Sequence, residues 1–345
     1  MSGHPTKARS SEWREEHSGS PRTAVLIPVF EDWAAVARLI GMLDGVLAAS
    51  GQSVAVFLVD DGSTTEPGGI FDDARLEAIE SVSVIRLRRN LGHQRAICVG
   101  LAYLAANHSY DEVVVMDGDG EDDPRDVPRL LECLRADPSQ PVVFAERTRR
   151  SEGVAFTLGY LVYRILHRIL TGKRIRVGNF SAVPRRRLQS IVTVPELWNH
   201  YAAAVLVSRQ PHRLVPTSRA RRLADEGRMS YTALIVHGLS AISVYSDVVG
   251  TRLLVGAGVI FVLALLALVA VVSIRLGTDL AVPGWATYSA GLLLLVLLQT
   301  ISFGLLFTFL VLGNRKGAVI IPARDFLHFV DTVEPIVPAA VSARG

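Results

Sequence analysis

Five acidic side chains crowd into the stretch Asp117-Gly118-Asp119-Gly120-Glu121-Asp122-Asp123. Asp117 and Asp119 flank a single glycine, and two carboxylates at that spacing in a loop can share one hard divalent cation. A cation held there can also bind a diphosphate and neutralise the charge that builds on it as it leaves. Glu121 adds a third carboxylate on the same side if the loop stays extended. Two other readings compete. An EF-hand begins with the same D-x-D-x-E pattern, but its sixth position requires Gly and its twelfth Glu; those positions are Asp122 and Pro128, which excludes it. A solvated acidic turn with helix-capping carboxylates is the other, and Asp122 and Asp123, just before Pro124, suit capping in either case.

A second acidic group lies in Val59-Asp60-Asp61-Gly62-Ser63-Thr64. A carboxylate at a strand end can accept hydrogen bonds from a base or a ribose, although Asp-Gly-Ser is also a common turn. Basic residues cluster between about 147 and 228, with Arg147, Arg149 and Arg150 at one end and Arg228 at the other. The Arg fork donates two hydrogen bonds to a phosphate; a basic face resting on anionic lipid is the alternative. His93 follows Gly92 at an expected helix start and is read as packing or capping there. Cys98 and Cys133 have neither CxxC spacing nor His partners at metal spacing and read as reduced, buried thiols.

The elements that must position these groups alternate. Ala24–Val29, Val54–Val59, Val82–Leu87, Glu112–Met116 and Pro141–Ala145 are short apolar runs that read as buried strands. Trp33–Ala49, His93–Ala106 and Val127–Arg135 carry apolar residues at helical spacing. Strands alternating with helices imply an α/β domain with a mostly parallel, Rossmann-like sheet. Ligands of such sheets bind beyond the carboxyl ends of the strands. The segments Pro28–Asp32, Asp60–Thr64 and Asp117–Asp123 sit at those ends, so three acidic loops are expected to converge on one edge.

Half of the 345 residues are hydrophobic, and the excess is concentrated late in the chain. Leu253–Ile274 and Trp285–Leu312 carry no charge, and each exceeds the roughly twenty apolar residues that a membrane-spanning helix needs. Phe156–Leu170 mixes apolar and basic residues at helical spacing, and Tyr231–Val249 is similar with His237 and Asp247 as its few polar breaks; each fits either a domain core or a membrane surface. Arg252 precedes the first span, and Arg315, Lys316 and Arg324 follow the second. The positive-inside rule then places both chain ends in the cytoplasm, on the inner membrane, with the short loop outside. The polar opening segment lacks the apolar core of a secretory signal. The expected organisation is a tail at 1–22, a catalytic domain at 23–228, an interfacial helix at 229–250, spans at 251–275 and 285–313, and a cytoplasmic tail at 314–345. A net charge of +3 without a stacking-aromatic module gives no footprint for nucleic acid.

Ile27-Pro28-Val29-Phe30-Glu31, Val59-Asp60-Asp61-Gly62-Ser63, Arg89-Asn90-Leu91-Gly92-His93 and Met116-Asp117-Gly118-Asp119 resemble, in order and spacing, the successive signatures of family 2 inverting glycosyltransferases. With two C-terminal spans, the chain looks like the polyprenyl-phosphate members, relatives of dolichyl-phosphate mannose synthase. The resemblance implies a GT-A fold, a nucleotide-diphosphate sugar donor and Mg2+ or Mn2+. It implies that Pro28, Val29, Glu31, Asp60 and Asp61 bind the nucleoside and that Asp117 lies near ribose and metal. Asp119 would then be a metal ligand, beside Glu121 where the family commonly has Gln. Arg228 lies where relatives carry a basic residue, and Arg147 and Arg228 join Asp117 and Asp119 as the expected catalytic set. Asn179, in Gly178-Asn179-Phe180-Ser181, replaces an acid of a Gly-Asp-Phe segment, unless it is a simple turn residue. The Gln-x-x-Arg-Trp motif of processive members is absent, which argues against a polymer synthase.

The expected reaction moves one sugar to a membrane polyprenyl phosphate. A lipid hydroxyl or a cell-envelope glycan is the alternative acceptor, and a catalytically silent membrane scaffold the alternative of another class. Paired spans can also pack between protomers, which allows a homo-oligomer.

Overall fold

The computed structural model describes residues 21–71, 75–147, 165–172, 177–218, 220, 222–223, 238–278, 284–314 and 319–337. They fall into two compact units, one of residues 1–151, 175–230 and 320–345 and one of residues 152–174 and 231–319.

The first unit is built on one eight-stranded sheet. Its strands are β1 (Thr23–Val29), β2 (Val54–Asp60), β3 (Ile79–Leu87), β4 (Glu112–Val115), β5 (Val142–Arg147), β6 (Val177–Pro184), β7 (His212–Thr217) and β8 (Val330–Val337), in the spatial order β7-β5-β6-β4-β1-β2-β3-β8. β4, β1, β2 and β3 run parallel, while β6 and β8 are antiparallel to their neighbours. The sheet is therefore mixed, where the sequence reading expected it mostly parallel.

β1 is buried at every position because both faces of the sheet are covered. Ala24 and Leu26 point into one core with α2 (His93–Asn107), α4 (Arg185–Ile191) and α5 (Tyr201–Val207). Val25, Ile27 and Val29 point into the other with α1 (Trp33–Ala49) and α3 (Asp126–Arg135). The continuous apolar run of β1 is what such two-sided burial requires.

Both edge strands carry proline, Pro216 in β7 and Pro335 in β8. Proline cannot donate to a ladder and is tolerated at edges. Residues 314–345, read from the sequence as a tail, thus contain a strand that pairs with β3. Arg88 pairs with Asp331 across that contact at 2.9 Å.

Asp44 ties α1 to the start of β3. It is buried, and its carboxylate accepts the backbone N–H groups of Glu77, Ala78 and Ile79 at 2.8–3.1 Å. These are charge-assisted bonds that meet three donors no strand partner satisfies.

The second unit contains α6 (Ser246–Gly277) and α7 (Trp285–Asn314), which pack on each other. A Cβ at Gly250, near the start of α6, would lie 2.5 Å from the Phe307 ring, late in α7, so the two helices run antiparallel. Thirty-two residues of helix span about 48 Å, more than the ~30 Å hydrocarbon core of a bilayer. Leu263 and Phe309 are more than half exposed in the isolated chain. Both helices are long and apolar enough to cross a membrane. The amphipathic segments expected at Phe156–Leu170 and Tyr231–Val249 lie partly outside the described residues; 165–171 and 238–243 are helical.

Replacing Asp44 with Ala strands the buried N–H groups of Ala78 and Ile79 and the part-buried one of Glu77, and is expected to cost the first unit roughly 3 kcal/mol. Urea unfolding of the detergent-solubilised chain, followed by tryptophan fluorescence, checks this; an unchanged midpoint would contradict it.

Candidate active site

Three loops meet where β1, β2 and β4 end. The backbone already binds them: Asp61 donates its N–H to the Val29 carbonyl at 2.8 Å, and Met116 donates to Leu26 at 3.1 Å. Pro28 and Val29 close β1, and Asp60 closes β2. The sequence-expected residues Pro28, Val29, Glu31, Asp60, Asp61, Asp117, Asp119 and Glu121 therefore share one edge of the sheet.

Their carboxylates are held mainly by main-chain donors. Asp61, buried, accepts the N–H groups of Leu91 and Gly92 at 2.7 and 2.9 Å, and so fastens the turn that opens α2. Burial pushes its pKa up against those two bonds. Asp60 accepts the Ser63 N–H at 2.9 Å and meets Arg86 at 3.5 Å. Gly62 stands between them at φ +75°, and a Cβ there would come within 2.7 Å of the Asn90 nitrogen. Glycine is required by both conformation and space.

Glu31 adopts φ 58°. Its carboxylate accepts the backbone N–H and hydroxyl of both Thr64 and Thr65, at 2.6–3.3 Å. Those bonds, led by the Thr64 N–H, hold its pKa down at about 2. A carboxylate offers about four lone-pair sites, and the two threonines occupy that number. Glu31 thus joins the first loop to the second.

The acidic loop after β4 is folded on itself. Asp122, read from the sequence as a helix cap, instead accepts the Asp117 N–H at 2.9 Å across the loop. Asp123 is clamped by the Arg125 guanidinium at 2.6 Å. Asp119 Oδ1 accepts the Glu121 N–H at 3.0 Å, and its Oδ2 lies 3.5 Å from Arg222 Nε. Burial raises the Asp119 pKa; the Glu121 N–H opposes this, and the nearby charges of Asp117 and Glu121 add to it. Like charges have been brought together at the cost of solvation, a condition a cation would relieve.

Asp117 receives two side chains the sequence reading did not place against it. His93 Nε2 lies 3.1 Å from Oδ1, and Asn179 Nδ2 lies 3.2 Å from the same atom. His93 was read as packing or capping; it faces the acidic loop. Partial burial disfavours its charge, but contact with Asp117, with Asp119 and Asp122 behind it, raises its pKa overall. Asn179 stands on β6, which runs antiparallel beside β4 and so brings its first residues to this edge. It is a strand residue rather than a turn.

The segment after β7 covers the loop. Ala220 donates to the Glu121 carbonyl at 3.0 Å and Leu223 to the Asp119 carbonyl at 2.9 Å. Leu223 lies against Gly120, where φ is +79° and a Cβ would sit 2.4 Å from Leu223 Cγ. Arg222 and this cover were missed because nothing local marks them; only the basic stretch around them was visible. Arg147 ends β5, while Arg149, Arg150 and Arg228 lie outside the described residues. Among the described residues, no three His, Cys, Asp or Glu side chains converge as a metal cage. Mg2+-type ions, however, take one or two protein carboxylates and complete their shell with substrate phosphates and water. The crowded Asp117 and Asp119 fit that demand.

The model of "Glycosyl transferase family 2" matches residues 24–190, which hold every acidic residue of this edge. The chain is 25% identical over 301 residues to the undecaprenyl-phosphate 4-deoxy-4-formamido-L-arabinose transferase of Enterobacter sp. (strain 638), covering 83% of this chain and 86% of that one. It is 24% identical over 226 residues to the enzyme of the same name from Klebsiella pneumoniae subsp. pneumoniae, spanning 62% of this chain and 64% of that relative. Among solved structures, glucosyl-3-phosphoglycerate synthase from Mycobacterium tuberculosis, in complex with Mn2+ and UDP-glucose, superposes with a TM-score of 0.48 at 16% identity, over 67% of this chain and 80% of that one. The strand-end loops lie within the matched stretch: the chain carries a family 2 glycosyltransferase domain over residues 24–190, followed by two long apolar helices.

Proposed function

We propose that the protein transfers one sugar, with inversion, from a nucleotide-diphosphate sugar to a membrane polyprenyl phosphate. The observation that carries this is the meeting of the Asp60–Asp61 and Asp117–Asp119 loops at one sheet edge, in a chain that also has two helices of membrane-spanning length. The named relatives, which act on undecaprenyl phosphate, support the choice of acceptor.

In this reading the loops around Pro28, Val29, Glu31, Asp60 and Asp61 bind the nucleoside, with Glu31 shaping the Thr64–Thr65 turn. Asp117 and Asp119, with Glu121 beside them, hold Mg2+ or Mn2+. The ion supplies charge neutralisation for the departing diphosphate. Arg147 and Arg228 bind phosphate of the acceptor or donor. The acceptor phosphate oxygen forms a bond to the anomeric carbon from the face opposite the diphosphate, whose carbon–oxygen bond breaks. A phosphate is ionised near neutral pH and needs no base. Asn179, one of the two side chains set against Asp117, has an amide that takes no proton. That observation favours a phosphate acceptor over a lipid hydroxyl. In this reading the domain works at the cytoplasmic face of the inner membrane; two helices of membrane-spanning length, with Arg252 before the first and Arg315 and Lys316 after the second, support that orientation.

Membranes containing the protein, incubated with polyprenyl phosphate and labelled nucleotide sugars, are expected to form a labelled lipid whose sugar is released by mild acid. No labelled lipid with any donor would sink the proposal, and an acid-stable product would move the acceptor to a hydroxyl. Chelation with EDTA is expected to stop the reaction and Mn2+ to restore it. Asp119→Ala should lower the rate by at least about 100-fold, the scale of losing one key charge-stabilising group; near-full activity would remove Asp119 from the metal site.

A further inference from the structure

We propose that Gln94 is a positioning residue for Asp117 and that it acts through Asn179. The inference rests on the reading of Asp117 as a ligand of the cation and donor.

Gln94 is the second residue of α2, and both it and Asn179 are more than nine-tenths buried. The backbone N–H of Tyr201 lies 2.8 Å from Gln94 Oε1. An N–H only donates, so the end of Gln94 that faces it is the oxygen. The Gln94 amide nitrogen therefore faces β6, where it donates to Asn179 Oδ1 at 3.0 Å. That bond fixes Asn179 in turn. Its Nδ2 is the end presented to the acidic loop, 3.2 Å from Asp117 Oδ1 and 3.0 Å from His93 Nε2.

A second arm secures the Asn179 main chain. Ser181 Oγ donates to the Asn179 carbonyl at 2.9 Å. A hydroxyl has one proton, so at the 2.7 Å contact between Ser181 and Tyr201 the tyrosine must be the donor. Tyr201 is fully buried at the start of α5 and roots both arms. Burial pushes its phenol pKa up, so the hydroxyl stays protonated and able to donate.

Hydrogen-bond polarity thus runs one way, from Tyr201 through Gln94 and Asn179 to Asp117. Each amide's orientation follows from the Tyr201 N–H: Gln94 Nε2 faces Asn179 Oδ1, and Asn179 Nδ2 faces Asp117 Oδ1. If the Asn179 amide turned over, its oxygen would face Asp117 Oδ1 at contact distance and two acceptors would repel. Gln94 prevents that turn. The group beside Asp117 is then always a donor, which fixes the carboxylate's orientation.

The test is a double-mutant cycle on the full-length chain in nanodiscs. Mn2+ binding is read by electron paramagnetic resonance in the presence of UDP and, separately, of GDP. Gln94→Met keeps the side-chain length, removes both amide bonds, and is expected to weaken Mn2+ binding about tenfold, the lower end for outer-shell partners of metal ligands. Asn179→Ala should weaken it similarly. The double variant should bind no more weakly than Asn179→Ala alone, because residues in one chain of contacts do not add. Unchanged affinity in folded Gln94→Met, or additive losses in the double variant, would overturn the proposal; a purely packing role would lower the unfolding midpoint without this coupling. Gln94→Ser runs the same cycle if methionine is not accommodated. Wild-type protein that binds no Mn2+ with either nucleotide would defeat the reading of the metal site instead, before Gln94 is in question.

Discussion

Carboxylates gathered at one sheet edge repel one another, and here backbone N–H groups hold them in place. Asp60 is held by Ser63, Asp61 by Leu91 and Gly92, Glu31 by Thr64 and Thr65, Asp119 by Glu121 and Asp122 by Asp117. Each such bond satisfies a turn donor, and at the buried Asp60, Asp61 and Asp122 also a charge that has lost water. The same bonds lock the loops after β1 and β2 and the turn before α2 to one another. Negative charge is therefore a structural component of this edge before any ligand arrives. Around Asp119 burial, and after it the charges of Asp117 and Glu121, push the carboxyl pKa up.

The sheet explains why these loops meet. β1 lies between β2 and β4, all three parallel, so their carboxyl ends lie side by side. β6 runs the other way and brings its opening residues, including Asn179, to the same edge. Residues far apart in the chain become neighbours by register: Ser181 pairs with Val115, two residues before Asp117. The chain leaves the first unit for its two long helices and returns to it as β8. β8 adds Glu334 to the Arg86 group that also touches Asp60, so the last strand is linked electrostatically to the second acidic loop.

Much of this was legible in the sequence where one residue type does one job. The parallel strands announce themselves as apolar runs cut off by Pro28, Asp60 or Asp117, and α1 matches its periodicity from Trp33 to Ala49. β6, β7 and β8 were missed because Gly178, Asn179 and three prolines break their patterns, and because β7 and β8 are partly exposed edges. Asp117 and Asp119 were found by chemistry and spacing. Gln94 was not, since an amide in an apolar helix signals nothing until Tyr201, 107 residues away, is placed against it. Glu31 adds a contact the sequence did not signal: the resemblance implies a nucleoside contact, and its oxygens also engage the neighbouring loop through Thr64 and Thr65.

In the proposed function a cation and a nucleotide diphosphate meet at the Asp117–Asp119 loop. A cryo-electron-microscopy structure of the full chain in nanodiscs with Mn2+ and UDP or GDP is expected to show the diphosphate at the carboxyl ends of β1, β2 and β4, with the ion between it and Asp117 or Asp119. A nucleotide bound elsewhere on the chain, or one at this edge whose phosphates point away from both carboxylates, would contradict it.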